Sequence, residues 1–174
     1  MQYFGEDSFL LEGTEIPDSL KENKYDRLPF SYKEDVREPV WDLSKNSAGL
    51  SIRFLSNSSV ITAKWELLNN FSMDHMPDTG IKGIDLYFKN NNKWQYINTG
   101  RTAGFNNEYR LVENMNNKLR EYKIFLPLYD GIKKIEIGID NSSFIQKPKK
   151  SEKKPIIFYG TSITQGASAS RPGT

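Results

Sequence analysis

Four short stretches of this chain alternate apolar and polar residues with a period of two, and that pattern limits the fold more than any other feature. In "SVITAKWELL", Ile61, Ala63, Trp65 and Leu67 fall on one side and Thr62, Lys64 and Glu66 on the other. "LSIRF" sets Leu50, Ile52 and Phe54 on one side, "GIDLYFK" does so with Ile84, Leu86 and Phe88, and "KKIEIGID" with Ile135, Ile137 and Ile139. Such alternation marks a strand with one buried face. "EYKIFLPL" reads as a further strand closed by Pro127. Asn- and Ser-rich clusters separate the runs, and "FKNNNKWQYI" has the form of a hairpin whose asparagines tolerate a left-handed turn. "NEYRLVENMNNKLREY" comes closest to helical period, though its asparagines argue against a long helix. Many short strands with little helix predict an all-β antiparallel β-sandwich over residues 1–146.

The character then changes. "QKPKKSEKKP" is polar, basic and flanked by prolines, which suits a solvated linker over 147–154. "IIFYG" follows as an unbroken apolar run, the pattern of a strand buried on both faces in a parallel α/β sheet. "GTSITQG" then has the form of a tight turn leading into a helix. Gly160 allows the turn, Ser162 sits at the mouth of the sheet, and Gly166 permits close approach of backbone or ligand. A serine so placed can attack an ester if a base takes its proton. Two other readings stand beside this one. Thr161 or Ser162 can cap the helix, with Ser162-x-x-Gln165 as a capping box, and a glycine-rich turn into a helix can hold phosphate.

Composition removes several alternatives. There is no cysteine, which excludes disulfides, thiolate metal sites and cysteine nucleophiles, and His75 is the only histidine. A net charge of +2 gives no pull toward nucleic acid. No apolar run approaches the roughly 18 residues that span a membrane. "MQYFGEDSFLLEG" lacks the basic and apolar regions of a signal peptide.

"YGTSITQG" with "ASASRPG" resembles the first block of the SGNH (GDSL-like) hydrolases, with Gly160-Thr161-Ser162 standing where Gly-Asp-Ser is usual. "REPVWDLSKNSAGLSIRF", "GIKGIDLYFKNNNKWQYINTG" and "FLPLYDGIKKIEIG" resemble, in order, the GxDLY domain that precedes such a hydrolase, with GxDLY reading Gly83-Ile84-Asp85-Leu86-Tyr87. The resemblance covers most of residues 25–174. It implies a jelly-roll-like sandwich and, over 155–174, the first strand and turn of a flavodoxin-like α/β domain. It further implies a serine ester hydrolase of acylated carbohydrate, with Ser162 as nucleophile, its N–H as an oxyanion donor, and no cofactor. The family's late Asp-x-x-His and oxyanion glycine and asparagine have no counterpart in these residues, so this chain by itself is expected to be inactive. The alternative is a non-catalytic carbohydrate-binding or domain-interface sandwich. Compartment is left open, although polysaccharide-acting enzymes of this kind are often exported.

Further expectations attach to single residues. His75, with Asp74 and Asp78, is a candidate substrate-facing group or part of an exposed loop, and a poor zinc set. Asp85 falls on the face with Tyr87 and Lys89, solvated or bonded locally. Trp65 reads as core, and Trp94, after the "NNNK" turn, is the best candidate for an exposed sugar platform, with core the competing role for all three tryptophans. Arg171 is a further candidate substrate-facing residue, or meets a carboxylate across the domain boundary. Ile156–Tyr159 is expected to dock on the sandwich by β-augmentation or to pair with another copy, and the tail after Ser162 to be mobile or held by the neighbouring domain.

Overall fold

A computed structural model describes residues 1–174. Its ten strands are β1 (Gln2–Phe4), β2 (Leu10–Glu12), β3 (Ser51–Ser56), β4 (Ile61–Leu67), β5 (Ile84–Asn90), β6 (Lys93–Gly100), β7 (Asn106–Val112), β8 (Arg120–Phe125), β9 (Ile132–Ile139) and β10 (Ile145–Gln146). They form two sheets, ordered β1-β9-β4-β7 and β10-β3-β8-β5-β6, with β2 also paired to β3. All pairings are antiparallel. Three short α-helices, α1 (Glu38–Ser44), α2 (Asp78–Ile81) and α3 (Ser162–Gln165), and three single 3-10 turns, at Glu6–Ser8, Asp18–Leu20 and Phe30–Tyr32, complete the fold. No helix is long and apolar enough to cross a membrane.

The alternating residues are the core. Ile61, Ala63, Trp65 and Leu67 of β4 and Ile135, Ile137 and Ile139 of β9 face Leu50, Ile52, Phe54, Ile84, Leu86, Tyr122 and Ile124, all essentially without solvent exposure. Each large aliphatic side chain buried this way stabilises by roughly 2 kcal/mol, which is what holds the two sheets face to face. Phe54 stacks on Tyr122 with ring centroids 5.4 Å apart. The β5–β6 hairpin closes at Asn91 and Asn92, with φ of +48° and +62°. "NEYRLVENMNNKLREY" is not helical: it carries β7 and the start of β8, which lie in different sheets and are joined by a crossing that turns at Asn114 (φ +61°).

The outer face of the larger sheet carries a charge network. Arg53 donates to Glu12 (2.7 Å) and to Glu121, and Glu121 also accepts from Lys89 (3.2 Å). Burial would raise the Glu121 carboxyl, but the hydrogen bonds from Arg53 and Lys89 outweigh it and hold the group below its ordinary 4.5. A carboxylate depressed in the fold contributes stability that is complete above about pH 4.5 and lost as pH falls through the lowered value. Glu121→Gln is expected to cost about 1 kcal/mol at pH 7 and to flatten the acid limb below pH 4.5, read by urea unfolding at both pH values. An unchanged acid limb would remove Glu121 from the account.

Two expectations fail in the C-terminal segment. Ile156–Tyr159 forms no strand and does not dock on the sandwich; Ile156, Ile157, Phe158 and Tyr159 are 81–100% exposed. A strand apolar on both faces needs a partner on each, and lying on a solvated sheet face would bury only one. The tail after Ser162, by contrast, is held by this chain's own sandwich.

Candidate active site

Ser162 opens α3, with Thr161 as N-cap in extended conformation. Neither Thr161 nor any side chain caps the helix, so the capping box expected from Ser162-x-x-Gln165 is absent. Gln165 points elsewhere: its Nε2 donates to the Leu128 carbonyl (3.0 Å), and its Oε1 accepts from Arg27 (3.3 Å), whose guanidinium also donates to Leu43 O. Burial pushes the Arg27 guanidinium down from its ordinary value, against the pull of Tyr129. The Ser162 carbonyl accepts from the Tyr129 hydroxyl (3.3 Å), Gly166 N (3.1 Å) and Ala167 N (2.9 Å). The Ser162 side chain is exposed, and its hydroxyl makes no hydrogen bond within the chain.

Both glycines of the turn are required by contacts. The Thr164 side chain folds over Gly160, where an added Cβ would lie 2.1 Å from Thr164 Oγ1. Gly166 ends the helix at φ +105° and presses on Leu128, where a Cβ would lie 2.8 Å from Leu128 Cδ1. Ala167 and Ala169 then pack on a small cluster of Ala48, Met76, Ile81, Leu128 and Tyr129.

The chain's end is clamped to β5. Asp85 is fully buried because residues 171–173 cover the outer face on which alternation places it. Its Oδ2 accepts from Arg171 (2.7 Å) and Gly173 N (2.9 Å), and its Oδ1 from Thr99 Oγ1 (2.6 Å). Thr99 thus spends its proton on Asp85, so the Tyr96 hydroxyl 2.9 Å away is the donor in that contact. Arg171 also donates to the Tyr87 hydroxyl (2.6 Å) and lies 4.1 Å over the Tyr96 ring; Tyr87 in turn donates to Gly173 O (2.7 Å). Burial would lower the Arg171 guanidinium, but the bonds to Tyr87 and Asp85 raise it.

The other sequence candidates lie apart. His75 is exposed at the tip of a tight turn closed by Met73 and Met76, and it is Met76, not His75, that packs against the C-terminal segment. No group of three or more His, Asp or Glu side chains is arranged to hold a metal ion. Trp94 is not an open platform: Lys123 and Lys89 lie over its ring at 5.1 and 5.8 Å. Trp65 is core and Trp41 is buried beneath Lys45 at 4.1 Å. A surface hollow of about 410 Å³ lies away from Ser162 on the outer face of the smaller sheet, lined by mutually paired charges such as Lys134–Glu136. Arg27, Thr99, Leu128 and Tyr129 escaped sequence reading, since nothing local distinguishes them from ordinary loop and strand residues.

Residues 1–145 match the family described as the N-terminus of SGNH-hydrolase-type esterases, GxDLY, and residues 153–174 match the GDSL-like lipase/acylhydrolase family. The chain belongs to the GxDLY family and carries the start of a GDSL-like domain. A crystal structure assigned as a GDSL-like lipase from Bacteroides ovatus is 38% identical, with a TM-score of 0.91, over 99% of this chain and 50% of that one. The chain therefore spans about half the length of that relative. The salicylyl-acyltransferase SsfX3 of a tetracycline biosynthetic pathway shares the fold at 10% identity and a TM-score of 0.60, over 86% of this chain and 42% of that one. An acetyl xylan esterase, Est2A, from Butyrivibrio proteoclasticus aligns at 10% identity and a TM-score of 0.48, over 87% of this chain and 35% of that one. No curated protein matches.

Proposed function

We propose that this chain is the N-terminal portion of a serine ester hydrolase that removes acyl groups, acetyl foremost, from carbohydrate. In this reading residues 1–146 are the sandwich domain, 147–154 a linker and 155–174 the opening of the hydrolase domain. Ser162 is the nucleophile and its N–H an oxyanion donor. The single observation that carries the reading is the Ser162 hydroxyl: exposed, unbonded, and presented on a turn whose backbone is tied down on one side. A serine acting only as a cap would have its oxygen on a backbone N–H, and this one does not. Gly160, Thr161 and Gly166 shape the turn, and Arg171 fastens it. The carbohydrate half of the proposal rests on the family resemblance. The clamp at Asp85 favours a role for the sandwich as an interface for the hydrolase domain over one as an independent sugar-binding module.

The test is acetate release from acetylated xylan by the full-length protein, alongside a simple aryl acetate and the 174-residue chain alone. The full-length protein should hydrolyse both esters. The chain alone should hydrolyse neither above background, since Ser162 has no base in hydrogen-bond contact. Hydrolysis of the aryl ester but no acetylated glycan would remove the carbohydrate assignment; rapid turnover by the chain alone would remove the mechanism.

A further inference from the structure

A four-residue helix cannot fix its own geometry, because one turn of backbone hydrogen bonds does not repay the entropy of ordering it. The geometry of Ser162 must come from what α3 rests on. Three contacts supply it, and all lead to the loop between β8 and β9. The Tyr129 hydroxyl holds the Ser162 carbonyl, the Leu128 side chain fills the space left by Gly166, and the Leu128 carbonyl holds Gln165 Nε2. Leu128 and Tyr129 are themselves 7% exposed, so this seat is packed into the sandwich. Gln165 is the only side chain of α3 that hydrogen-bonds to the sandwich, and it does so at both ends, because its Oε1 also meets Arg27.

We infer that Gln165 is a positioning residue: by bridging Leu128 O and Arg27 it makes the sandwich the seat that aims the Ser162 hydroxyl and N–H. The inference deepens the nucleophile reading and rests on it. An amide is the group that suits this place. It offers a donor to the carbonyl and an acceptor to the guanidinium at once, which neither Glu nor Lys can do. Gln165 is half-buried, so its replacement leaves the core intact.

The experiment uses the full-length protein and two readouts: the rate of covalent labelling of Ser162 by a fluorophosphonate, located by mass spectrometry, and kcat and KM on an aryl acetate. Gln165→Ala and Gln165→Glu should each slow labelling and lower kcat by about tenfold to a hundredfold, with KM within about twofold, since misplacing a reacting group by an ångström costs on that order. Gln165→Glu keeps the acceptor for Arg27 but loses the donor to Leu128 O. An equal loss in both variants therefore assigns the effect to the Leu128 bond. Labelling and kcat unchanged in both variants, whatever happens to the melting temperature, overturn the inference while leaving the nucleophile in place. Failure of the wild type to label at Ser162 overturns the nucleophile reading itself, and this inference with it.

Discussion

Ser162→Ala in the full-length protein is expected to lower kcat at least about a thousandfold, the scale on which loss of a serine nucleophile is felt. The change removes one oxygen that contacts nothing. The carbonyl of residue 162 keeps its donors from Tyr129, Gly166 and Ala167, so the turn should hold its shape. Thermal stability should then stay within about 0.5 kcal/mol of wild type, as for other surface substitutions away from special contacts. That separation between activity and stability is the diagnostic. It also sets up a second measurement: once the hydroxyl is gone, adding Gln165→Ala should change the residual rate no further, because a residue that acts only by aiming Ser162 has nothing left to aim. A residual rate within tenfold of wild type would show that the ester is cleaved by some other group.

Breaking the clamp at Asp85 should be the most costly single change to stability in the C-terminal segment. The Asp85 carboxyl has no solvent exposure, and three donors satisfy it. Replacing such a pair entirely can be almost neutral, but removing one member strands the other. Arg171→Ala is therefore expected to cost about 3 kcal/mol, at the low end for buried pairs because Arg171 keeps 26% of its side-chain exposure. In a domain of this size that is a fall of roughly 6–12 °C in melting temperature. The double variant Asp85→Ala with Arg171→Ala should lose distinctly less than the sum of the two singles, giving a coupling of about 1–3 kcal/mol. If Arg171→Ala melts within a degree of wild type, the ion pair does not fasten the segment.

The sandwich was legible because burial in a two-faced strand is written directly into neighbouring residues. Ile61, Ala63, Trp65 and Leu67 needed no tertiary information to be placed inward, and they are inward. The asparagines of the β5–β6 turn declared their backbone in the same local way. "NEYRLVENMNNKLREY" misled because β7 and β8 leave the smaller sheet for the larger within it, so no single period runs through the stretch. Asp85 shows the limit most clearly. Its face was assigned correctly by alternation, but the cover over that face comes from residues 86 and 88 positions later in the chain, and periodicity holds no trace of a partner that distant. Arg171 was expected to find a carboxylate, yet charge alone could not choose Asp85 among the acidic residues. For Gln165 the local spacing offered a capping box as one reading, while its partners are Leu128 and Arg27, 37 and 138 positions away. Neither role weighed for Trp94, open platform or core, describes it, because no local signal foretold the lysines of β5 and β8 that cross its ring.

Every residue that grips α3 and the tail, from Arg27 through Asp85 to Tyr129, precedes them in the chain. Synthesis runs from the amino terminus at about 5–20 residues per second, and domains tend to fold as they emerge. The receiving surface can thus be complete before Gln165 leaves the ribosome. The GDSL-like segment begins its life already moored, its first turn moulded on a finished template and spared a search for its place afterwards.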